Sequence, residues 1–149
     1  AECPYVSEEA RVVLAAAGLK RLGLRPRNLI DLPIDWFMPA PAQGALAVQV
    51  RESDAIAALL APIEHRPSRS AVEAERSFLR NINAGCHTPV GALATVSGST
   101  ITLHGQLFSD DGLHMVEGGE MGDDPHTIGA RLAEELARKL QESQSVPRP

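Results

Sequence analysis

The spacing of apolar residues is most regular in the second half of the chain, from about residue 68. After Pro125, the stretch 127–141 has leucine or isoleucine at every fourth position, which predicts an amphipathic helix; these residues are Ile128, Leu132, Leu136 and Leu140. Its charged face pairs Glu134 with Arg138 and Glu135 with Lys139, each with the acidic residue first, the favourable order. The tail 143–149, SQSVPRP, is predicted to be disordered.

A second helix is predicted over 71–82, where apolar residues recur at helical spacing; they are Ala71, Ala74, Phe78 and Ile82. Ser70 and Glu73 form a possible capping box at its start. Asn83 and Gly85 are suited to closing its end.

Between these helices the pattern predicts strands. Residues 90–97 and 100–108 read as two strands joined by a turn at Ser97-Gly98-Ser99, with Ile101, Leu103 and Leu107 on one face and His104 on the other. The turn residues SDDG at 109–112 predict a further hairpin into a third strand. Helix, three-stranded antiparallel sheet and helix make an α+β domain, which we place at 66–142.

Residues 1–65 contain elements that lack partners. The run RVVLAAAG at 11–18 predicts a buried strand leading into a short helix, and LAVQVR at 46–51 alternates as a strand does. A short helix follows over 54–61, capped by Ser53 and ended by Pro62. These pieces are too few to close a core, so we expect this chain to be the C-terminal part of a longer protein.

Composition narrows the function classes. The 149 residues are 44% hydrophobic, 3% aromatic and 22% charged, with a formal net charge of -5. An acidic, aromatic-poor chain argues against nucleic-acid binding. No apolar run approaches the roughly 20 residues of a membrane span, so a cytoplasmic protein is expected. Cys3 and Cys86 are far apart and are interpreted as free thiols.

No metal site is predicted, because the five histidines show no ligand spacing with one another or with the cysteines; they are His65, His87, His104, His114 and His126.

Three further stretches are distinctive: LAAAGLKRLGL at 14–24, MPAPAQGALAV at 38–48 and AVEAERSFLRNINAGCHTPVGALA at 71–94. Together, in this order and spacing, they resemble the porphobilinogen deaminase (hydroxymethylbilane synthase) family. The resemblance implies two α/β domains like those of periplasmic binding proteins and a third, smaller α+β domain. Residues 1–65 would then be remnants of the two α/β domains, and their missing strand partners would lie upstream.

The resemblance also implies an activity. The family condenses four porphobilinogen molecules into hydroxymethylbilane with loss of ammonia, on a dipyrromethane primer attached to a cysteine by a thioether. The matching residue is Cys86, in AGCHTPVG. The family's catalytic aspartate and most of its substrate-binding arginines and lysines fall upstream, so no catalytic residue is assigned here. This chain alone is expected to be inactive and the complete protein to be a monomer.

Four further residues match family positions that contact the cofactor. Arg21 matches an arginine that binds pyrrole carboxylates, for which a guanidinium fork is well suited. Ala15 matches a small residue close to the cofactor, and Gln43 with Gly44 match the cleft-lining QGA segment. Without the resemblance, Arg21 reads as a solvated helix residue, Ala15 as core, and Gln43 with Gly44 as a turn.

Departures from the family pattern leave alternatives open. Ala42 and Ala84 stand where glycine is common, and His87 where glutamine is common. One alternative is a non-enzymatic α+β binding or interaction module in which Cys86 is a buried structural thiol. Another is a cysteine hydrolase using Cys86 and His87, although adjacent residues rarely present their side chains to each other productively.

Overall fold

The computed structural model describes residues 12–34, 37–51, 56–82 and 89–145. The chain divides into two compact units, Ala1–Trp36 and Phe37–Pro149. In the first, helix α1 spans Ala16–Arg21. Helix α1 includes residues 16–18 of the run predicted as a strand over 11–18, and described residues 12–15 are irregular and exposed. That a strand here pairs with upstream segments stays a prediction. A strand needs a hydrogen-bonding neighbour, and the described part of this unit offers none.

The second unit begins with short, irregular elements. Helix α2 spans Ile56–Leu60 and ends before Pro62, as predicted, running into a 3-10 turn at Ala61–Ile63. The proposed cap Ser53 lies outside the described residues. The segment 46–51, predicted to be a strand, pairs with no other in the described chain, and Leu46 is 99% exposed. Because its expected partners lie upstream, this strand stays a prediction.

The rest of the unit is the predicted α+β domain. Helix α3 spans Arg66–Asn81, and strands β1 (Val90–Ser97), β2 (Thr100–Phe108) and β3 (Met115–Gly122) follow, before helix α4 (Pro125–Ser145). The strands form an antiparallel sheet in the order β1-β2-β3. Both hairpins lie where the turn residues predicted them.

The core lies between the two long helices and one face of the sheet. It contains the apolar positions predicted for α3, β2 and α4; the largest fully buried side chains are Phe78, Ile101, Leu103, Ile128, Leu132 and Leu136. The helices approach closely at Gly129, where an added Cβ would lie 2.5 Å from Ser77 Cβ. His104 is exposed on the opposite sheet face, as predicted.

The start of α3 differs from the prediction. The helix begins four residues before Ser70, and its N-cap is His65, whose Nδ1 accepts the Ser68 N–H at 3.3 Å. A proline in the first turn lacks only an N–H that the helix does not use, so it favours this earlier start. The capping box of Ser70 and Glu73 is therefore wrong. Asn83 and Gly85 lie outside the described residues.

Helix α4 confirms one predicted ion pair and corrects the other. Lys139 Nζ lies 2.5 Å from Glu135 Oε1. Arg138 pairs instead with Glu142, at 2.8 Å, rather than with Glu134. Arg138 has a glutamate one turn away in each direction and its guanidinium binds the later one. The helix reaches Ser145, so residues 143–145 are not part of a disordered tail.

Asp124 caps α4, which predicts a pH-dependent contribution to stability. Its Oδ2 accepts the Thr127 N–H at 2.7 Å. Hydrogen bonds from the Thr127 side chain and backbone lower the pKa of Asp124 below its ordinary value of 3.8. The stabilisation is therefore present above pH 3.8 and is lost as the pH falls through the lowered folded-state pKa. We expect Asp124→Ala to lower the melting temperature at neutral pH, with the difference from wild type vanishing in acid.

The neighbouring Asp123→Ala is the control, because Asp123 is exposed and forms no described side-chain hydrogen bond. Melting curves from neutral pH to about pH 2 measure the effect. Equal melting temperatures for the two variants at neutral pH would contradict the cap.

Candidate functional site

In the first unit, α1 holds two of the predicted site residues. The Ala15 carbonyl accepts the Gly18 N–H at 2.9 Å and so opens the helix. The helix ends in a Schellman motif: Gly23 has φ 67°, and the Leu24 N–H donates to the Leu19 carbonyl at 3.0 Å. This geometry fixes Arg21 as the last helical residue.

The Arg21 guanidinium is exposed. No carboxylate among the residues that the structure describes forms an ion pair with it. A cation at a helix C-terminus is favoured by the helix dipole, so local structure stabilises this position. Arg21 is thus available to an external carboxylate, and Ala15 is exposed at the opposite end of the same helix.

In the second unit, the predicted site residues Gln43 and Gly44 lie in an irregular segment that we call the 38–44 loop. The Pro39 carbonyl accepts the Ala92 N–H of edge strand β1 at 2.9 Å. Met38 lies against Gly91, since a Cβ built there would be 3.0 Å from Met38 Cβ. The loop therefore covers part of the free edge of β1.

The carboxylate of Glu75, on α3, joins this loop to the sheet. Its Oε2 accepts the Ala42 N–H at 2.6 Å, and its Oε1 accepts the Ala94 N–H of β1 at 2.7 Å. Glu75 is only 5% exposed, and no basic side chain in the described ranges pairs with it. Two backbone donors to a carboxylate are charge-assisted bonds, which satisfy an otherwise costly buried group.

The tip of the loop projects away from this attachment. Gln43 and Gly44 are exposed, while Ala42, which is bound to Glu75, is half-buried. Ala42 has φ 63°, a left-handed conformation that is unfavourable for alanine. A Cβ built on Gly44 would meet no atom of the described residues within 4 Å. The loop thus exposes the Gln43 amide side chain and the Gly44 backbone, while Ala42 is held by its hydrogen bond to Glu75.

Cys86 lies in 83–88, outside the described residues, as do Ala84 and His87. Cys3 is also outside them. The described chain stops at Ile82, which caps the end of α3, and resumes at Pro89, directly before β1. The structure therefore brings Gln43 and Gly44 together in one turn, and Ala15 and Arg21 onto one helix.

Glu75 is the residue that sequence reasoning missed. A signal for it exists: Glu75 falls within the apolar stripe of α3, four residues after Ala71 and three before Phe78. A carboxylate on a core-facing stripe requires partners, and these prove to be backbone N–H groups remote in sequence.

The described residues contain no group of three His, Cys, Asp or Glu side chains that could hold a metal ion. Two of the histidines take part in structural hydrogen bonds: the His65 side chain caps α3, and the His126 backbone carbonyl accepts the Ser77 hydroxyl of α3 at 2.9 Å. Over the same ranges, no helix combines the length and apolar character needed to cross a membrane.

Two family models match the chain. Residues 6–58 match the dipyrromethane cofactor binding domain of porphobilinogen deaminase, and residues 70–138 match the C-terminal domain of porphobilinogen deaminase. The chain belongs to the porphobilinogen deaminase family. The resemblance of the three sequence stretches is thereby confirmed, and the cofactor associated with the first matched domain is dipyrromethane.

Curated relatives agree with this membership. The chain is 45% identical over 128 residues to a porphobilinogen deaminase of Roseiflexus castenholzii, covering 84% of this chain and 42% of the relative. It is 42% identical over 127 residues to that of Brevibacillus brevis, covering 84% and 41%. For Pelotomaculum thermopropionicum the values are 44% over 129 residues, covering 83% and 41%. The chain thus spans about two fifths of the length of these porphobilinogen deaminases.

In each unit taken by itself, the described residues are compatible with a pyrrole cofactor that carries acidic side chains. In the first unit, the Arg21 guanidinium forms no ion pair within the described residues and suits a carboxylate ligand. In the second unit, no described atom stands where a side chain at Gly44 would be, which allows close approach of a planar ring. The Gln43 amide can donate or accept a hydrogen bond from its exposed position.

Proposed function

We propose that this chain is part of an enzyme that condenses four porphobilinogen molecules into hydroxymethylbilane, with one ammonia released as each unit is added. The observation that carries the proposal is the pair of family matches that together span most of the chain. The loop geometry supports it, since exposed Gln43 and Gly44 are held by contacts to β1 and α3. The remaining catalytic groups would come from upstream domains of the same protein.

Cys86 is the proposed attachment point of the dipyrromethane. In the sequence it comes five residues after Asn81, the last residue of α3, and we propose that it is a permanent anchor rather than a turnover nucleophile. A permanent anchor needs no lowered pKa when its partner is a strongly electrophilic methylene-pyrrole. When bound, the dipyrromethane supplies the pyrrole carbon to which the first porphobilinogen is joined.

The other proposed contacts to the cofactor are of two kinds, an ionic contact with a carboxylate and polar or close backbone contacts. Arg21 binds an acetate or propionate group of the pyrrole chain, and Ala15 leaves room for it. Gln43 hydrogen-bonds a polar group of the cofactor, and Gly44 permits its close approach. We assign no catalytic residue to this chain and expect it to be inactive without the upstream aspartate.

The proposed setting is a cytoplasmic monomer when complete, with porphobilinogen as its small-molecule substrate. Neither nucleic acid nor membrane is a proposed partner. The net charge of -5 supports the absence of a nucleic-acid partner from the proposal, since a phosphate-binding surface needs an excess of basic residues.

The proposal is tested with the full-length protein. We expect its intact mass to exceed the polypeptide mass by one dipyrromethane, a positive Ehrlich reaction, and conversion of porphobilinogen to hydroxymethylbilane. Arg21→Gln is expected to slow this conversion, whereas Arg25→Gln, which changes another exposed arginine just after α1, serves as its matched control.

A non-enzymatic module would instead show no mass increment and no porphobilinogen consumption. A cysteine hydrolase would show rapid alkylation of Cys86 with a pH midpoint well below that of a free thiol. Either result would overturn the proposal.

A further inference from the structure

Glu75 is a buried carboxylate that the proposed chemistry leaves unused. It is the one charged residue in the buried class within the described ranges, and its two oxygens accept separate backbone N–H groups from elements 33 and 19 residues away. If the Glu75 carboxylate needed only hydrogen-bond partners, it could find them within its own helix or in water. This one instead joins three segments.

We infer that Glu75 is a positioning residue, which holds the 38–44 loop so that Gln43 and Gly44 present to the cofactor. The inference rests on the proposed function, since it deepens the role of the same site. Within the described residues, the Glu75 side chain forms its hydrogen bonds to Ala42 and Ala94 and none to Gln43 or Gly44. It acts through Ala42, the residue directly before Gln43.

The conformation of Ala42 supports this role. Its φ of 63° lies in the left-handed region, which disfavours alanine, and its N–H points at Glu75 Oε2. The turns on either side, Gln43 N–H to Ala40 carbonyl and Ala45 N–H to Ala42 carbonyl, depend on that backbone direction. Without the carboxylate, alanine is free to relax to negative φ, and the loop tip changes direction.

The second hydrogen bond makes the attachment rigid. Because Oε1 accepts the Ala94 N–H, the carboxylate is fixed against β1 and cannot follow the loop if the loop moves. The Pro39 carbonyl holds the beginning of the loop on the same strand, through Ala92. The loop is therefore held at both Pro39 and Ala42, while Gln43 and Gly44 at its tip are exposed.

The test compares Glu75→Gln with Glu73→Gln in the full-length enzyme. Glutamine keeps the volume of Glu75 but turns an N–H₂ group toward one of the two N–H donors, so one hydrogen bond is lost. Glu73 lies on the same helix, its one side-chain partner among the described residues is the exposed Arg69 at 2.9 Å, and it serves as the matched control.

We expect Glu75→Gln to lower kcat by about 10- to 100-fold through misplacement of the primer, with KM for porphobilinogen changed by about twofold or less. The cofactor remains attached, as shown by an unchanged mass increment. The Ala42 amide exchanges hydrogen faster than in wild type. Glu73→Gln behaves as wild type in all these measurements.

A second substitution separates positioning from simple stabilisation. Glycine adopts positive φ without the penalty that alanine bears, so Ala42→Gly added to Glu75→Gln is expected to recover about fivefold or more of the lost kcat. Ala42→Gly alone should have little effect. A change in kcat equal to that of Glu73→Gln, or a loss that Ala42→Gly does not recover, would overturn the inference. An inactive wild-type enzyme would instead refute the proposed function, while the exchange rate of the Ala42 amide would still test the attachment.

Discussion

Replacing Phe78 with alanine is expected to lower the free energy of unfolding of the α+β domain by about 3–5 kcal/mol. Phe78 is 0% exposed and lies between α3 and the sheet. Its ring contacts β2 at Gly105, where an added Cβ would lie 2.7 Å from Phe78 Cζ. The ring lies between the backbones of α3 and β2, so the structure can collapse only slightly into the cavity left by alanine. The destabilisation therefore includes both the lost burial of the apolar ring and the cost of the remaining cavity.

Native-state hydrogen exchange at the β2 amides measures this effect in the full-length protein, because those amides report opening of this domain. Phe37→Ala is the matched control: Phe37 is 52% exposed, and the expected change is within about 0.5 kcal/mol. If Phe78→Ala lowered the free energy of unfolding by less than about 1 kcal/mol, the prediction would be contradicted, and the core would have to repack into the space left by the ring.

Cys86→Ser is expected to have the largest effect on activity. The serine hydroxyl is a much weaker nucleophile than a thiol and ionises far less readily, so the thioether link to the dipyrromethane would not form. The full-length variant should therefore have the mass of the bare polypeptide, a negative Ehrlich reaction, and product formation at background.

Cys3→Ser supplies the control, because it removes the other of the two cysteines in the chain. It is expected to retain the mass increment and the activity. The proposed anchor would be refuted by normal hydroxymethylbilane synthesis in Cys86→Ser, or by transfer of the increment to another peptide. Circular dichroism of both variants would show whether folding is unchanged.

The succession of elements in the α+β domain could be predicted from sequence because local signals agree with tertiary packing there. In α4, Ile128, Leu132 and Leu136 recur at helical spacing and are buried as that spacing requires. In β2, alternation separates buried Leu103 from exposed His104. Each element buries its apolar face against a neighbour encoded within the same 80 or so residues, so no distant segment is needed.

The strands predicted before residue 66 have no partner among the described residues and stay predictions. Leu46 and Val48 alternate as in a strand, yet both are exposed, and their segment is irregular. A β-strand gains its hydrogen bonds from another strand, whereas a helix makes them within itself. Among the described residues of the apolar run at 11–18, residues 12–15 are irregular and residues 16–18 lie in the short helix α1.

The sequence by itself determined the family, through motifs that stay recognisable in order and spacing, and the helix-sheet-helix domain, through local periodicity. Only the tertiary structure decided that His65 caps α3, that Arg138 pairs with Glu142, and that Glu75 links the 38–44 loop to β1. The first two are choices between neighbouring partners of similar energy. The third joins residues 33 positions apart, and a contact at that separation depends on how α3 packs beside the sheet rather than on any local pattern.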